Sequence, residues 1–138
     1  MYDRIKITKI INDVEVEFNN LISFGLTENS DDASLYATSM SLMVIMTRTI
    51  DLVEEIILKN EWGMPQRYKE YFTLLGNKGL IDKKLCTELG KLADWRNMIA
   101  HEYFNVDRKQ ILKLKKDIYY VKDLIEKVKK IVAMNITK

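Results

Sequence analysis

The segment from Arg96 to Tyr103 contains the residues of this chain that are best suited to chemistry. It holds His101, the only histidine among the 138 residues, and Arg96 precedes it by five positions. Histidine exchanges protons near neutral pH, and arginine presents a fixed fork of N–H donors that fits phosphate oxygens. A ribose 2′-hydroxyl can attack its neighbouring phosphate once a base takes its proton. The pair therefore suffices, in principle, for cutting RNA without a metal.

The pattern around Arg96 predicts a helix with one apolar stripe. Successive helical residues turn by about 100°, and Arg96 occupies a position where this stripe would place another leucine. The other members of the stripe are Leu85, Leu89, Leu92 and Ile99. A guanidinium on such a face is costly unless it is paired or borders a cleft. Arg96 is therefore predicted to be either a core ion pair or part of a site.

Three polar residues are predicted to lie on the opposite side of this helix: Asp94, Asn97 and His101. Asn97 and His101 are four positions apart and can touch, and we expect Asn97 and Asp94 to support the pair. Arg96 and His101 lie about 140° apart on an ideal helix and do not share a face. Either the helix ends or distorts near His101, or the site is built where two subunits meet. An acid and a base are both needed, which favours a dimer because each chain has one histidine.

The string Arg96-Asn97-x-x-x-His101-x-Tyr103 resembles the signature of HEPN-domain proteins of the HepT-like type. Five flanking segments resemble that family too: Gly63-x-Pro65, Leu74-Leu75, Gly79-Leu80-Ile81, Leu92-Ala93-Asp94-Trp95 and Tyr103-Phe104-x-Val106-Asp107. The resemblance implies an all-α, homodimeric protein that is a metal-independent ribonuclease and the toxin of a toxin–antitoxin module. It also implies that Arg96 and His101 are the catalytic pair, with Asn97 as the polar residue beside it.

The resemblance gives Tyr103 a separate role. Tyr103 matches the tyrosine that a minimal nucleotidyltransferase antitoxin modifies with AMP in some family members. An adenylyl group beside His101 would add bulk and a negative phosphate where the RNA phosphate must bind. Without the resemblance, a tyrosine at the end of an amphipathic helix is commonly a packing residue with its hydroxyl in water.

Three functions are compatible with these residues. The first is an endoribonuclease toxin that binds RNA and is neutralised by a nucleotidyltransferase antitoxin. The second is a non-catalytic subunit that binds nucleotides or substrates within a minimal nucleotidyltransferase complex. The third is a structural helical adaptor, in which Arg96 forms a core ion pair and His101 is a satisfied core residue. The complete motif favours the first.

Length and composition indicate the domain organisation and the class of protein that carries the motif. A chain of 138 residues suits one domain, residues 1–138, and its 47% hydrophobic and 30% charged residues are typical of a soluble protein. Cys86 is the only cysteine, which excludes an internal disulfide and fits a reducing compartment. One cysteine and one histidine do not form a zinc site of nitrogen and sulfur ligands, and we expect no metal and no cofactor. The N-terminus opens no apolar signal segment and the apolar run Leu42–Met46 is too short to span a bilayer, so we expect a cytoplasmic protein.

Hydrophobic periodicity predicts an antiparallel bundle of about five helices. The first helix covers residues 3–24, with an apolar face that includes Ile22, and the second runs from about Ala33 to Lys59. The second is apolar on more than one side, which indicates the centre of a bundle or a dimer interface. Ser30, Asp31 or Asp32 can cap the second helix, Pro65 suits the first turn of a third, and Asp82 caps a fourth. Asp107 begins the fifth, whose strict seam is Ile111, Leu114, Ile118, Val121, Ile125, Val128 and Val132.

The charges are unevenly distributed. The whole chain carries a net charge of +2, but residues 105–138 hold ten basic and four acidic side chains. The lysines off the seam of the fifth helix are Lys113, Lys115, Lys116, Lys122, Lys127, Lys129 and Lys130. They form either a surface that attracts a polyanion or an ordinary solvated face. Arg48 and Asp51, three apart on the second helix, are expected to form an intrahelical pair.

Overall fold

The described part of the molecule is all-helical, which confirms the predicted fold class. The computed structural model describes the backbone of residues 2–27, 29–102 and 107–137, and the side chains of residues 2–27, 29–98 and 107–133. Within these ranges there are six helices and no strands: α1 (Arg4–Phe24), α2 (Asp32–Lys59), α3 (Tyr68–Asn77), α4 (Lys83–Glu102), α5 (Arg108–Asp117) and α6 (Tyr120–Thr137). None of these described helices is long and apolar enough to cross a membrane.

Side-chain contacts between neighbouring helices establish their antiparallel arrangement. Residues later in α1 contact residues earlier in α2, in the pairs Lys6 with Glu55, Asp13 with Arg48, and Glu17 with Ser41. The same order relates α3 and α4, in the pairs Phe72 with Cys86, Lys69 with Asp94, and Tyr68 with Arg96. α6 runs antiparallel to α1, since Lys129 pairs with Glu15 while Lys122 lies over the Phe18 ring.

α2 is the central helix of the described bundle, which was one of the two alternatives predicted from its sequence. It packs against α1, α3, α4 and α5, and residues on several of its sides are buried, among them Leu42, Ile45, Leu52 and Ile56. A helix that is apolar around much of its circumference is stable only when neighbours cover it. α2 therefore supplies the scaffold against which the other helices are placed.

Local capping signals define several of the helix ends. The Asp31 carboxylate accepts a hydrogen bond from the Ser34 amide at 2.8 Å, and Asp82 accepts one from the Leu85 amide at 2.8 Å. Asp107 caps α5 through the Lys109 amide at 3.0 Å. Gly25 ends α1 with φ of 55°, in the left-handed region that glycine adopts without strain. The predicted caps of the second, fourth and fifth helices are thus confirmed.

The structure differs from the predicted elements in three places. The third helix begins at Tyr68 rather than near Pro65, because residues 62–67 connect α2 to α3 and Trp62 packs on the core. The predicted fifth helix is divided into α5 and α6 by a turn at residues 118–119, closed by an i to i+3 hydrogen bond from the Val121 amide to the Ile118 carbonyl. All seven residues of its seam are nevertheless buried. Ile22 is 58% exposed and lies outside the core face of α1.

Candidate functional site

α4 carries the motif and presents Arg96 at the edge of the core. Leu85, Leu89 and Leu92 are buried against the other helices, as the stripe predicted. Arg96, one turn further, is half-buried, so its guanidinium reaches the surface of the bundle beside α2 and α3. The charged group therefore avoids the desolvation that a fully buried position would impose.

Arg96 is held by residues from three helices. Its Nε–H donates to the Thr47 hydroxyl of α2 at 3.2 Å, and its Nη1 donates to the Asn97 side-chain oxygen at 3.3 Å. Its Cζ lies 5.6 Å from the centre of the Tyr68 ring of α3, within the range of a cation–π contact. Among the described side chains no carboxylate forms an ion pair with it. This arrangement differs from the core ion pair that a structural adaptor would require.

Asp94 and Asn97 occupy different surroundings, although the sequence placed them on one side of the helix. Asn97 is half-buried and contacts Arg96 directly. The Asp94 carboxylate pairs with Lys69 of α3 at 3.5 Å, and both side chains are 58% exposed. Exposed pairs of this kind contribute little to stability. Asn97 therefore belongs to the immediate surroundings of Arg96, and Asp94 lies on the rim formed by α3 and α4.

The backbone of α4 continues to Glu102, so His101 lies in its last turn. The His101 side chain lies outside the described residues, as does the whole of Tyr103. An unbroken helix from Arg96 to His101 keeps their Cα–Cβ directions about 140° apart. How the two side chains could meet, through a distorted helix end or across two subunits, lies outside the described residues.

Thr47 and Tyr68 are site residues that the sequence did not reveal. They lie 49 and 28 positions before Arg96, on helices that pack beside α4. Nothing in the local sequence distinguishes Thr47 from the other threonines of α2. Nothing in the local sequence distinguishes Tyr68 from the other aromatic residues of α3, Tyr71 and Phe72. Their relation to Arg96 follows from the packing of α2 and α3 against α4, which no periodicity encodes.

Arg48, the neighbour of Thr47, forms a separate network at the α1–α2 contact. It donates to Asp13 through Nη2 at 2.7 Å and to Asp51 through Nη1 at 2.9 Å. Burial would lower the pKa of Arg48, but hydrogen bonds and charge attraction from the two carboxylates outweigh it and raise the pKa above its ordinary value. The expected pair with Asp51 is confirmed, and Asp13 joins it.

Some of the lysines of α5 and α6 have partners within the chain. Lys115 donates to the Leu26 carbonyl at 3.5 Å, and Lys129 pairs with Glu15 at 3.4 Å. The Lys122 ammonium lies 4.7 Å from the centre of the Phe18 ring. These three lysines attach the last two helices to α1 and to the loop that follows it. For these three lysines the structure shows contacts within the chain, which neither alternative had predicted.

Sequence comparison relates the chain to known proteins. The family described as "Ribonuclease HepT-like" matches residues 5–131. A protein of Shewanella oneidensis named mRNA nuclease HepT is 35% identical over 54 residues. That segment spans 39% of this chain and 41% of the relative, so the match covers about two fifths of that curated protein.

Comparison of folds gives neighbours with little sequence identity. A toxin–antitoxin complex with AMP-PNP contains a chain with a TM-score of 0.83 and 20% identity, over 90% of this chain and 97% of that one. The cytosolic protein of unknown function YutE from Bacillus subtilis has a TM-score of 0.87 at 19% identity, over 100% and 97% of the chains. A tri-AMPylated Shewanella oneidensis HEPN toxin in complex with an MNT antitoxin has a TM-score of 0.83 at 21% identity, over 94% and 98%.

These structural neighbours share the fold, and at such identities they bear on the fold alone. The sequence match is of a different kind, because it covers all but the first four and last seven of the 138 residues. The chain therefore belongs to the ribonuclease HepT-like family.

Proposed function

We propose that this protein is a metal-independent endoribonuclease that acts as the toxin of a toxin–antitoxin module. The observation that carries the proposal is the state of Arg96. Its guanidinium is half-buried, is held by neutral groups and has no carboxylate partner among the described side chains. An arginine kept in this way retains its charge for an external anion, and RNA phosphate is the anion that the motif suits.

The reaction needs one group to accept a proton and one to supply it. A base takes the proton of the ribose 2′-hydroxyl, whose oxygen attacks the adjacent phosphorus, and the 5′-oxygen leaves with a proton from an acid. His101 is the base or the acid, and Arg96 stabilises the charge that grows on the phosphate oxygens. Asn97 holds the guanidinium through Nη1. DNA lacks the 2′-hydroxyl and would not be cut.

A homodimer would supply the second histidine. Tyr36, Met40, Met43 and Thr47 recur at helical spacing on one face of α2, which we call the α2 strip. Tyr36 is 48% exposed and Met40 is 54% exposed. The strip ends at Thr47, which is the residue that contacts Arg96. A second copy packed on the strip would cover this apolar surface and bring its own His101 towards the first Arg96.

The proposed partner is a minimal nucleotidyltransferase antitoxin. The names of the fold neighbours support it, since they describe toxin–antitoxin complexes and an AMPylated HEPN toxin bound to an MNT antitoxin. We extend AMP addition to Tyr103 of this chain. Tyr103 lies two residues beyond His101, so the added phosphate would repel an RNA phosphate at the site.

The deciding experiment incubates the purified protein with total RNA in excess EDTA, beside Arg96→Ala and His101→Ala. Arg4→Ala, which removes an exposed arginine of α1, is the matched control. Cleavage by the wild type and Arg4→Ala alone would support the proposal. Cleavage by all four proteins would refute the assigned residues. Cleavage by none, with intact mass excluding prior modification of Tyr103, would favour a nucleotide-binding subunit of a nucleotidyltransferase complex.

Two further measurements separate the parts of the proposal. If each site combines Arg96 of one chain with His101 of the other and needs one histidine, mixing inactive Arg96→Ala and His101→Ala subunits restores cleavage, because one of the two sites in a mixed dimer then has both residues. No recovery after confirmed subunit exchange would contradict a site of this kind. For Tyr103, incubation with the nucleotidyltransferase and ATP should add AMP to the wild type but not to Tyr103→Phe, as judged by intact mass.

A further inference from the structure

We propose that Thr47 and Tyr68 are positioning residues that fix the plane of the Arg96 guanidinium, so that its terminal nitrogens face the RNA phosphate. The inference rests on the proposed function and adds residues from two other helices to it. Neither side chain needs to touch RNA. Each acts through Arg96, which is anchored to α2 at one edge and to α3 on one face.

The hydroxyl of Thr47 is used differently from those of three other helical threonines of this chain. Thr49, Thr73 and Thr87 each donate to the carbonyl oxygen four residues earlier, at 2.6, 3.4 and 2.9 Å. Among the described residues no such bond is found for Thr47, and its oxygen accepts from Arg96 at 3.2 Å. A β-branched side chain on a helix has few rotamers. Thr47 therefore offers Nε–H an acceptor at a fixed place.

Tyr68 supports the guanidinium from the side and is itself supported. Its ring lies edge-on to the ring of Tyr71, with centres 5.6 Å apart and planes at 88°. Tyr71 is buried in the core. The core thus holds Tyr71, which packs against Tyr68, and the face of Tyr68 lies beneath Arg96 at 5.6 Å. Tyr68 is the first residue of α3, and the antiparallel course of α3 and α4 places it level with Arg96.

The hydrogen bonds that Arg96 makes show which of its N–H groups are available to a ligand. A guanidinium has five N–H donors. The Nε–H goes to Thr47 and one Nη1–H goes to Asn97. Among the described residues the remaining donors, all on Nη1 and Nη2, have no partner. A guanidinium that is held at Nε and at one Nη1–H, with its remaining N–H groups unpaired, is pre-organised for phosphate oxygens, and catalysis is sensitive to such orientation.

The test uses conservative pairs of variants. Thr47→Val removes the acceptor and Thr47→Ser retains it, while Tyr68→Leu removes the ring and Tyr68→Phe retains it. Thr49→Val removes a buried hydroxyl two residues from Thr47, and Tyr119→Leu removes a ring that lies 5.1 Å from the Lys122 ammonium. These two controls lose comparable groups elsewhere, so they report the effect of a purely structural change.

Kinetics are measured on an RNA oligonucleotide that contains a site mapped in the total-RNA digest. Thr47→Val and Tyr68→Leu should each lower kcat by about tenfold or more with KM changed by less than about threefold, because the charge stays but its orientation is lost. Thr47→Ser and Tyr68→Phe should recover most of kcat. Wild-type kcat in Thr47→Val and Tyr68→Leu, or equal losses in Thr49→Val and Tyr119→Leu, would overturn the inference.

A second readout does not depend on cleavage. The Nε–H signal of Arg96 in a nitrogen–proton correlation spectrum is assigned by its loss in Arg96→Lys. In the wild type it should exchange slowly with water, exchange faster in Thr47→Val, and change its chemical shift in Tyr68→Leu. If the wild type did not cut RNA, the proposed function would fail, but these signals would still show whether Thr47 and Tyr68 position the Arg96 guanidinium. An Nε–H signal unchanged by both variants would refute the positioning alone.

Discussion

The Arg48 guanidinium donates to the Asp13 carboxylate at 2.7 Å and thereby joins α2 to α1. The preceding residue, Thr47, receives the hydrogen bond from Arg96. Two consecutive residues of α2 therefore fix that helix to α1 and contact the motif helix. The first contact is between opposite charges and the second is between a cation and a neutral hydroxyl. We infer that Arg48 stabilises the scaffold, while Arg96 is kept unneutralised for a ligand.

Arg48→Met should lower stability while leaving the site in place. The side chain is 28% exposed and its two partners are about 40% exposed, so the ion pairs are only partly screened by water. We expect a loss of roughly 1 kcal/mol and a fall in Tm of roughly 3–5 °C. Thermal unfolding followed by circular dichroism measures it. An unchanged Tm, or loss of RNA cleavage as complete as in Arg96→Ala, would contradict the structural role.

The sequence predicted those parts of the fold that depend on local chemistry. Asp31, Asp82 and Asp107 cap helices because a carboxylate can reach an amide two or three residues ahead. The division between α5 and α6 could not be predicted, because residues 118–119 include neither glycine nor proline and the apolar seam continues through them. The sequence predicted too early a start for α3, because Pro65 is compatible with a first helical turn. The packing of the segment between α2 and α3 decides where the first turn of α3 lies.

The same distinction applies to the site. Arg96 and Asn97 were singled out from the pattern of one helix, which placed them on opposite sides, whereas the structure brings the Asn97 side chain into contact with Arg96. Thr47 and Tyr68 belong to other helices, and their positions relative to Arg96 depend on how three helices pack. A single sequence encodes the periodicity of each helix but not the rotation of one helix against another. The roles of His101 and Tyr103 remain predictions from the motif.

Arg96→Lys should be a much weaker enzyme even though it keeps the positive charge. Lysine cannot donate to Thr47 and Asn97 at once and still offer a fork to phosphate, because its ammonium is a single point at the end of a flexible chain. We expect kcat to fall on the order of tenfold, compared with a hundredfold or more for Arg96→Ala. Initial rates on the mapped RNA oligonucleotide measure both. Wild-type kcat for Arg96→Lys would mean that charge alone suffices.

Asn97→Asp should weaken RNA binding by placing a carboxylate next to Arg96. The Asn97 oxygen lies 3.3 Å from Nη1, so an aspartate there would pair with the guanidinium and repel phosphate. We expect KM to rise on the order of tenfold. Asn12→Asp, which makes the same change on the exposed surface of α1, is the control. Equal KM values for the two variants would show that the effect is one of total charge rather than of position.

The cap of α2 should make stability depend on pH in acid. The Ser34 amide and hydroxyl bond to Asp31 and, with attraction from Arg108, hold the pKa of the Asp31 carboxyl below its ordinary value of 3.8. A carboxyl whose pKa is lower in the folded state stabilises the fold above the unfolded pKa and loses this contribution as pH falls through the folded pKa. Asp31→Asn keeps an N-cap oxygen but does not titrate. In urea titrations from neutral pH to below 3.8, the wild type should lose more stability than Asp31→Asn, and parallel curves would show that the cap does not depend on its charge.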